Sequence, residues 1–280
     1  MRVTLFGATG LLGRDLVHAL HGEQLTALSS QDVDLRDQVG VSRIVNDSQP
    51  DWIILTAAYT DVDGCESDRD HALAVNCEGA VHVAQAARHA KARLLFLSTD
   101  YVFDGTKGAP YETDDSRNPL SVYGQTKARA EVRLLDLLPE VCIVRTSWLF
   151  GQGGKCFPAT ILKLASTRPE IFVVNDQRGS PTFTRDLASV LVELCRLQAR
   201  GIVHATNRGD CTWYDFAKEI VRQASLPAEV KPVTTAEFPR PARRPAYSVL
   251  SPKSLHAYGI QMPDWKDALV RYLADLPAVT

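Results

Sequence analysis

The chain predicts an α/β fold: a doubly wound parallel sheet with a smaller mixed α/β part laid against it. Three observations carry that expectation. Up to about residue 151, short apolar runs alternate with longer stretches of helical periodicity, the pattern of strands joined by crossover helices. A glycine-rich turn, Gly7-Ala8-Thr9-Gly10-Leu11-Leu12-Gly13, separates the first apolar run from the first helical stretch. Beyond about residue 152 the alternation loses its regularity. The 280 residues suffice for one large domain or two unequal ones with a sizeable core.

Arg2 to Phe6 reads as a buried strand, and Leu11 to Leu20 as a helix with apolar residues at 11, 12, 16, 19 and 20. Glycines three apart let the turn between them bend tightly, approach a pyrophosphate and seat the helix on the strand. The helix N-terminus adds free N–H groups and partial positive charge. This is a Rossmann-like dinucleotide site, with Gly7, Thr9, Gly10, Leu11, Leu12 and Gly13 as its candidate residues. Leu25 to Leu28 is the second strand, closed by Ser29 and Ser30. A cofactor with a free ribose hydroxyl usually meets an acid there, and the nearest are Asp32 and Asp34, the latter followed by Leu35. The serines read either as donors to a phosphate, with Arg14 helping to balance it, or as plain loop. NADPH and NADH therefore both stay open.

Val39 to Ser48 is helical, and Trp52 to Leu55 is the third strand. Ala57-Ala58-Tyr59-Thr60 follows it, and small residues at a strand's carboxyl end leave room for a flat ligand. Asp61 to Asp70 reads as an acidic, solvated loop, and His71 to Ala90 as one long helix with Asn76 near its middle. Leu94 to Leu97, the fourth strand, delivers Ser98, Thr99, Asp100 and Tyr101 to the same sheet edge. Val102 to Asn118 is a polar loop suited to border a site. Residues 119–138 form the next helix, opened by Pro119, and Val141 to Arg145 is the fifth strand. Trp148, just past it, can shape a sugar pocket or fill a core.

Downstream, a helix closes over Lys163 to Thr167, Phe172 to Val174 is a short strand, Arg178 to Thr182 a turn, and Asp186 to Arg196 a helix. Ile202 to His204, Trp213 to Ala224 and Asp264 to Leu276 complete the smaller part. The expected division is a cofactor-binding domain over 1–151, with segments returning from about 175–205, and a discontinuous substrate-binding domain over 152–280.

Charge excludes little but removes two partner classes. The 31 basic and 33 acidic residues leave a formal net charge of -2, which gives no reason to expect nucleic acid or an anionic membrane surface. No apolar stretch approaches the roughly 20 residues needed to span a bilayer, and the N-terminus starts a strand, so a cytoplasmic protein is expected. Six cysteines show no Cys-x-x-Cys and no zinc spacing, and read as packed free thiols. A homodimer stays open.

Tyr123 and Lys127 stand four apart on the 119–138 helix and share a face. A neighbouring cation stabilises a phenolate and lowers a tyrosine pKa that is ordinarily about 10, so the phenol can pass a proton near neutral pH. Such pairs arise by chance on many helices. This one is singled out because Thr99 and Tyr123 converge where the glycine turn places a cofactor.

Taken together, these pieces resemble the extended short-chain dehydrogenase/reductases, and within them the dTDP-4-dehydrorhamnose reductase family. The resemblance runs nearly end to end, through Asp34-Leu35, Ala57 to Thr60, Val75-Asn76, Ser98 to Phe103, Val122 to Lys127, Arg145 to Trp148, Asn175 to Thr182, Trp213 to Asp215 and Ala242 to Pro245. It implies reduction of the C4 ketone of a nucleotide-linked 4-keto-6-deoxyhexose, dTDP-4-dehydro-L-rhamnose or a close relative, by NADPH or NADH. It makes Tyr123 the proton donor, Thr99 a hydrogen-bond donor to the carbonyl, and Lys127 a ligand of the ribose that also lowers the tyrosine pKa. Asp100, Tyr101 and Trp148 would hold the sugar. Arg178, Ser180, Arg243 and Arg244 would hold the nucleotide half, against the plain reading of the arginines as surface charge.

Two departures from the family pattern leave the reductive machinery intact and the sugar open: Leu55-Thr56 stands where an asparagine is usual, and Lys155-Cys156 where the family is asparagine-rich. Some relatives hold a metal between subunits. The resemblance offers Asp15 for one such ligand, the others have no assigned position, and no metal is expected. A dehydratase would need an acid after Asp100, where Tyr101 stands. A nucleotide-sugar epimerase would keep the Tyr–Lys pair and survives as an alternative. A non-catalytic regulator resembling the methionine adenosyltransferase beta subunit would tolerate damage to the catalytic set or glycine turn, and both are complete here.

Overall fold

The structure is a computed structural model and describes residues 1–276. Six parallel strands form its main sheet, in the order Gly201–His204, Cys142–Thr146, Arg93–Thr99, Trp52–Leu55, Arg2–Phe6 and Gln24–Leu28. Runs such as Trp52–Leu55 and Cys142–Thr146 are buried throughout, as strands covered on both faces must be. Strand order reverses between Arg2–Phe6 and Trp52–Leu55, and that reversal opens a crevice at their carboxyl ends.

Helices Leu11–Ala19 and Thr184–Arg196 cover one face through Leu12, Leu16, Leu187 and Leu191. Gln38–Ser48, Gly79–Ala90 and Val122–Leu137 cover the other, through Val41, Val45, Val83, Ala87 and Leu134. A separate cluster of Phe150, Ile161, Ile171, Phe183, Phe216, Leu269 and Tyr272 unites Phe157–Ala165, Glu170–Val174, Trp213–Gln223 and Trp265–Ala274. The two cores meet at a short parallel pair, Leu149–Phe150 with Thr182–Phe183.

Several elements differ from the sequence expectation. Residues expected as an acidic loop form two short helices, Val62–Ser67 and Arg69–Leu73, capped by Asp61 and Asp68, whose carboxylates accept from Gly64 and His71 N–H. The helix expected over His71 to Ala90 contains a π turn at Ala74–Glu78. The Tyr123 helix begins at Val122, with Ser121 rather than Pro119 at its mouth, because the Ser121 hydroxyl accepts from Gly124 N–H at 3.2 Å. Arg178 to Thr182, expected as a turn, contributes two-residue strands on either side of Ser180. Glu229–Val233, too polar to signal a strand, pairs in parallel with Glu170–Val174. Among the described residues, no helix is long and apolar enough to cross a membrane.

Candidate active site

The carboxyl ends of the central strands open on a cleft of about 610 Å³. Gly7, Thr9, Gly10, Leu11, Leu12 and Gly13 line one end, Ala57, Ala58 and Thr60 a side, and Thr99, Asp100, Tyr101, Tyr123 and Lys127 the centre. Trp148 and Trp213 bound the far end. Ser30 joins this cleft to a second cavity of about 390 Å³ that takes in Ser29, Asp34, Leu35 and Tyr59.

The glycine turn has the shape of a cradle. Gly7 adopts φ +99°, and a Cβ on Gly13 would lie 2.0 Å from the Gly7 carbonyl oxygen. Gly10 caps the first helix without any side-chain hydrogen bond, so N–H groups of the first turn remain available to an anionic ligand. A dinucleotide pyrophosphate fits both features. At the end of the second strand the donors are already engaged: the Asp32 carboxylate accepts from the Ser29 N–H and hydroxyl, each at 2.7 Å. Asp34 is gripped by Arg36 through contacts of 2.5 to 3.0 Å.

Close packing sets the centre. A Cβ on Gly124 would fall 2.2 Å from the Tyr101 carbonyl oxygen, so a glycine there lets the helix close on the turn that carries Asp100 and Tyr101. The Glu66 carboxylate accepts from Val122 N–H at 2.8 Å and pins the helix mouth. Thr99 donates its hydroxyl to Asp100 at 3.0 Å, and the Tyr101 and Tyr123 rings meet edge to face at 6.2 Å. The π turn places Asn76 so that its amide accepts from Tyr59 N–H at 2.7 Å and donates to the Thr126 hydroxyl at 3.1 Å. It thereby fastens the Tyr59 wall to the Tyr123 helix. Sequence periodicity carries no signal for that extra residue in the turn.

Electrostatics at the centre differ from the expectation that Lys127 lowers the Tyr123 pKa. Burial, followed by the nearby Asp100 carboxylate, pushes the Tyr123 phenol up, with the Thr99 hydroxyl opposing. Lys127 instead lies with its Nζ 4.0 Å above the Phe96 ring. Burial pulls this lysine down to about 7 against the pull of Glu131. Asp100 is pushed up to about 7 by burial, and its Oδ2 has no hydrogen-bond partner among the described residues. The dominant cause throughout is loss of water, which residue spacing cannot report.

Trp148 is held in a left-handed conformation, φ +48°, and stacks on Trp213 at 3.6 Å with the rings 8° from parallel. A Cβ on Gly179 would come within 2.6 Å of the Trp148 ring. Trp213, which sequence reasoning gave no site role, thus doubles the aromatic wall, and Lys155 joins the lining beside it.

Four expected site residues are not brought to the cleft. Arg178 is paired with Asp210, and Ser180 is buried with its carbonyl accepting from the Ser147 hydroxyl at 2.6 Å. Arg243 is exposed on the surface. Arg244 is held by Asp63 at 3.1 Å, near enough to Tyr101 to act on its phenol. The Asp63 carboxylate also takes Arg240, and these two guanidiniums fasten the proline-rich segment over the helix that follows Thr60.

A family model described as RmlD substrate binding domain matches residues 1–277. The chain is 42% identical to a dTDP-4-dehydrorhamnose reductase of Streptomyces griseus, across 94% of this chain and 90% of that one. It is 39% identical to the spore coat polysaccharide biosynthesis protein SpsK of Bacillus subtilis, across 98% and 97%. A crystal structure of dTDP-4-dehydrorhamnose reductase from Bacillus anthracis in complex with NADP superposes with a TM-score of 0.96, at 37% identity, covering 98% of this chain and 99% of that one.

Proposed function

The chain belongs to the family described as the RmlD substrate binding domain, and from that premise we propose that it reduces the C4 ketone of a dTDP-linked 4-keto-6-deoxyhexose with NADPH. One observation carries the reading: Thr99, Tyr123 and Lys127 line the same cleft as the glycine turn. The reductase names of its relatives and the NADP held by a structural neighbour support the substrate class and the cofactor.

A nicotinamide held in this cleft would supply the hydride for a ketone carbon. The glycine turn receives the pyrophosphate, and Ala57 and Ala58 leave space beside it. Tyr123, kept neutral by burial and Asp100, holds the proton that the developing alkoxide needs. Thr99 turns its hydroxyl from Asp100 to the ketone oxygen, and Lys127 holds the ribose. Asp100, through its unpartnered oxygen, takes a sugar hydroxyl, while Tyr101 and the Trp148–Trp213 stack bound the ring. Of the residues expected for the nucleotide half, only Arg244, held by Asp63 near Tyr101, serves it. The segments around the Phe150–Phe216 cluster act as the substrate-binding part, and the sheet with its helices as the cofactor-binding part. Charged substrate and cofactor are both confined by their charge to the cytoplasm, where we place the reaction.

The direct test is oxidation of NADPH and of NADH with dTDP-4-keto-6-deoxy sugars generated in place, with and without a 3,5-epimerase. Oxidation that requires the epimerase is expected. Oxidation without it would assign a different deoxysugar, and none with either mixture would remove the reductase reading. A separate check concerns the cradle alone. Gly13→Ala forces a Cβ toward the Gly7 carbonyl, and NADPH affinity measured by fluorescence titration should fall at least about tenfold.

A further inference from the structure

Tyr123, Lys127 and Glu131 follow one another at four-residue intervals along Val122–Leu137 and so share one face. The first two line the cleft; Glu131, one turn further in, is fully buried. Its carboxylate accepts from the Ser98 hydroxyl at 2.6 Å, from Arg145 at 2.9 and 2.7 Å, and from Arg117 at 2.5 Å. These partners come from three places: the strand end beside Thr99, the neighbouring strand, and the loop that follows Val102. Arg145 also reaches the Thr113 carbonyl at 3.2 Å and the His204 ring at 3.2 Å, and burial holds that histidine neutral, down to about 3.

We propose that Glu131 is a positioning residue for the reduction: it locks the Tyr123–Lys127 face onto the Ser98–Thr99 strand end and supplies the negative charge that favours the ammonium form of Lys127. A buried carboxylate ringed by guanidiniums is a poor device for stability alone, since packed apolar groups do as well. Its place one turn beyond Lys127 gives it a use. The groups facing Lys127 are Cys77 from the π turn, the Phe96 ring from the strand, and Tyr123 and Glu131 from its own helix. Of these, Glu131 alone is anionic near neutral pH, because Arg145, Ser98 and Arg117 hold it ionised and burial holds the Cys77 thiol neutral. Ser98 carries the same contact to Thr99 next to it, so one carboxylate aligns the proton donor with the carbonyl-binding hydroxyl.

The inference rests on the ketoreductase reading for its catalytic consequence, but binding tests it without any sugar. In Glu131→Gln the amide keeps the shape and removes the charge. NADPH affinity, followed by fluorescence from pH 6 to 9, should start to weaken about one pH unit lower than in the unaltered protein. At pH 8.5 the variant then binds about tenfold more weakly than the unaltered protein, against about twofold at pH 6. If sugar turnover is found, kcat should fall along the same pH axis with KM little changed. Should Glu131→Gln not fold, Arg117→Gln decides instead. It frees one side of the carboxylate, and the onset of weakening should move to higher pH. A binding profile that superimposes on the unaltered protein's, in either variant folded by circular dichroism, overturns the proposal. A failure of turnover with shifted binding profiles overturns only the ketoreductase reading.

Discussion

Tyr123→Phe is expected to lower kcat by about 10³-fold, within the range a positioned general acid contributes, while NADPH affinity stays within about threefold. The phenylalanine ring keeps the edge-to-face contact with Tyr101 and the buried volume, so the fold has no reason to respond. What disappears is a single proton, held on a phenol that burial makes reluctant to ionise. Stopped-flow mixing of the variant with NADPH and a 4-keto sugar measures the effect. Turnover within tenfold of the unaltered enzyme would reassign the proton donor, with Asp100 the next group in line because it is pushed up to about 7 and so carries a proton for part of the time at neutral pH.

Lys127→Met should separate activity from stability in opposite directions. Turnover is expected to fall about 10²-fold through the lost charge beside the reacting centre. Stability should rise. The folded lysine gives up its proton at about 7, whereas the unfolded one keeps it to about 10.5, so the unfolded state binds the extra proton between those values. The folded form therefore carries a penalty that is complete below pH 7 and fades as pH climbs toward 10.5. A displacement of that size is on the order of 5 kcal/mol. Loss of the contact to Phe96 and of the attraction to Glu131 offsets much of it, and a net gain of about 1–2 kcal/mol raises Tm by a few degrees. Thermal melts at pH 6 and pH 9.5 test the sign: the gain over the unaltered protein should shrink at the higher pH. A melting point lowered at pH 6 would mean that Lys127 stabilises the fold through contacts that outweigh its burial.

The sheet was legible because its strands are short, apolar and regularly spaced, and the glycine turn because only glycine meets the demands at Gly7 and Gly13. Thr99, Tyr123 and Lys127 could be placed together since strand ends and a helix face are fixed by periodicity alone. Contacts that depend on three-dimensional closure were not legible. Arg178 and Arg244 look alike in sequence, yet one is spent on Asp210 and the other is held by Asp63 near Tyr101. Trp213 lies 65 positions from Trp148 and joins it only because the second core folds back on the sheet. The pKa of Lys127 turns on exclusion of water, a property of the whole packed helix face and not of the four-residue interval.

The edge strand Gly201–His204 has a consequence for the chain as it is made. Its hydrogen bonds complete Cys142–Thr146, with Gly201 N–H donating to the Val141 carbonyl at 2.8 Å. Until residue 204 clears the ribosome, a nascent chain carries an unpaired strand edge, and without Thr184–Arg196 the Leu12 and Leu16 face is bare as well. At about 5–20 residues per second that state lasts several seconds, long enough for chaperone engagement or intermolecular pairing. A fragment ending after residue 151 would stay in that condition permanently and should aggregate instead of binding a dinucleotide, even though it contains the glycine turn, Thr99, Tyr123 and Lys127.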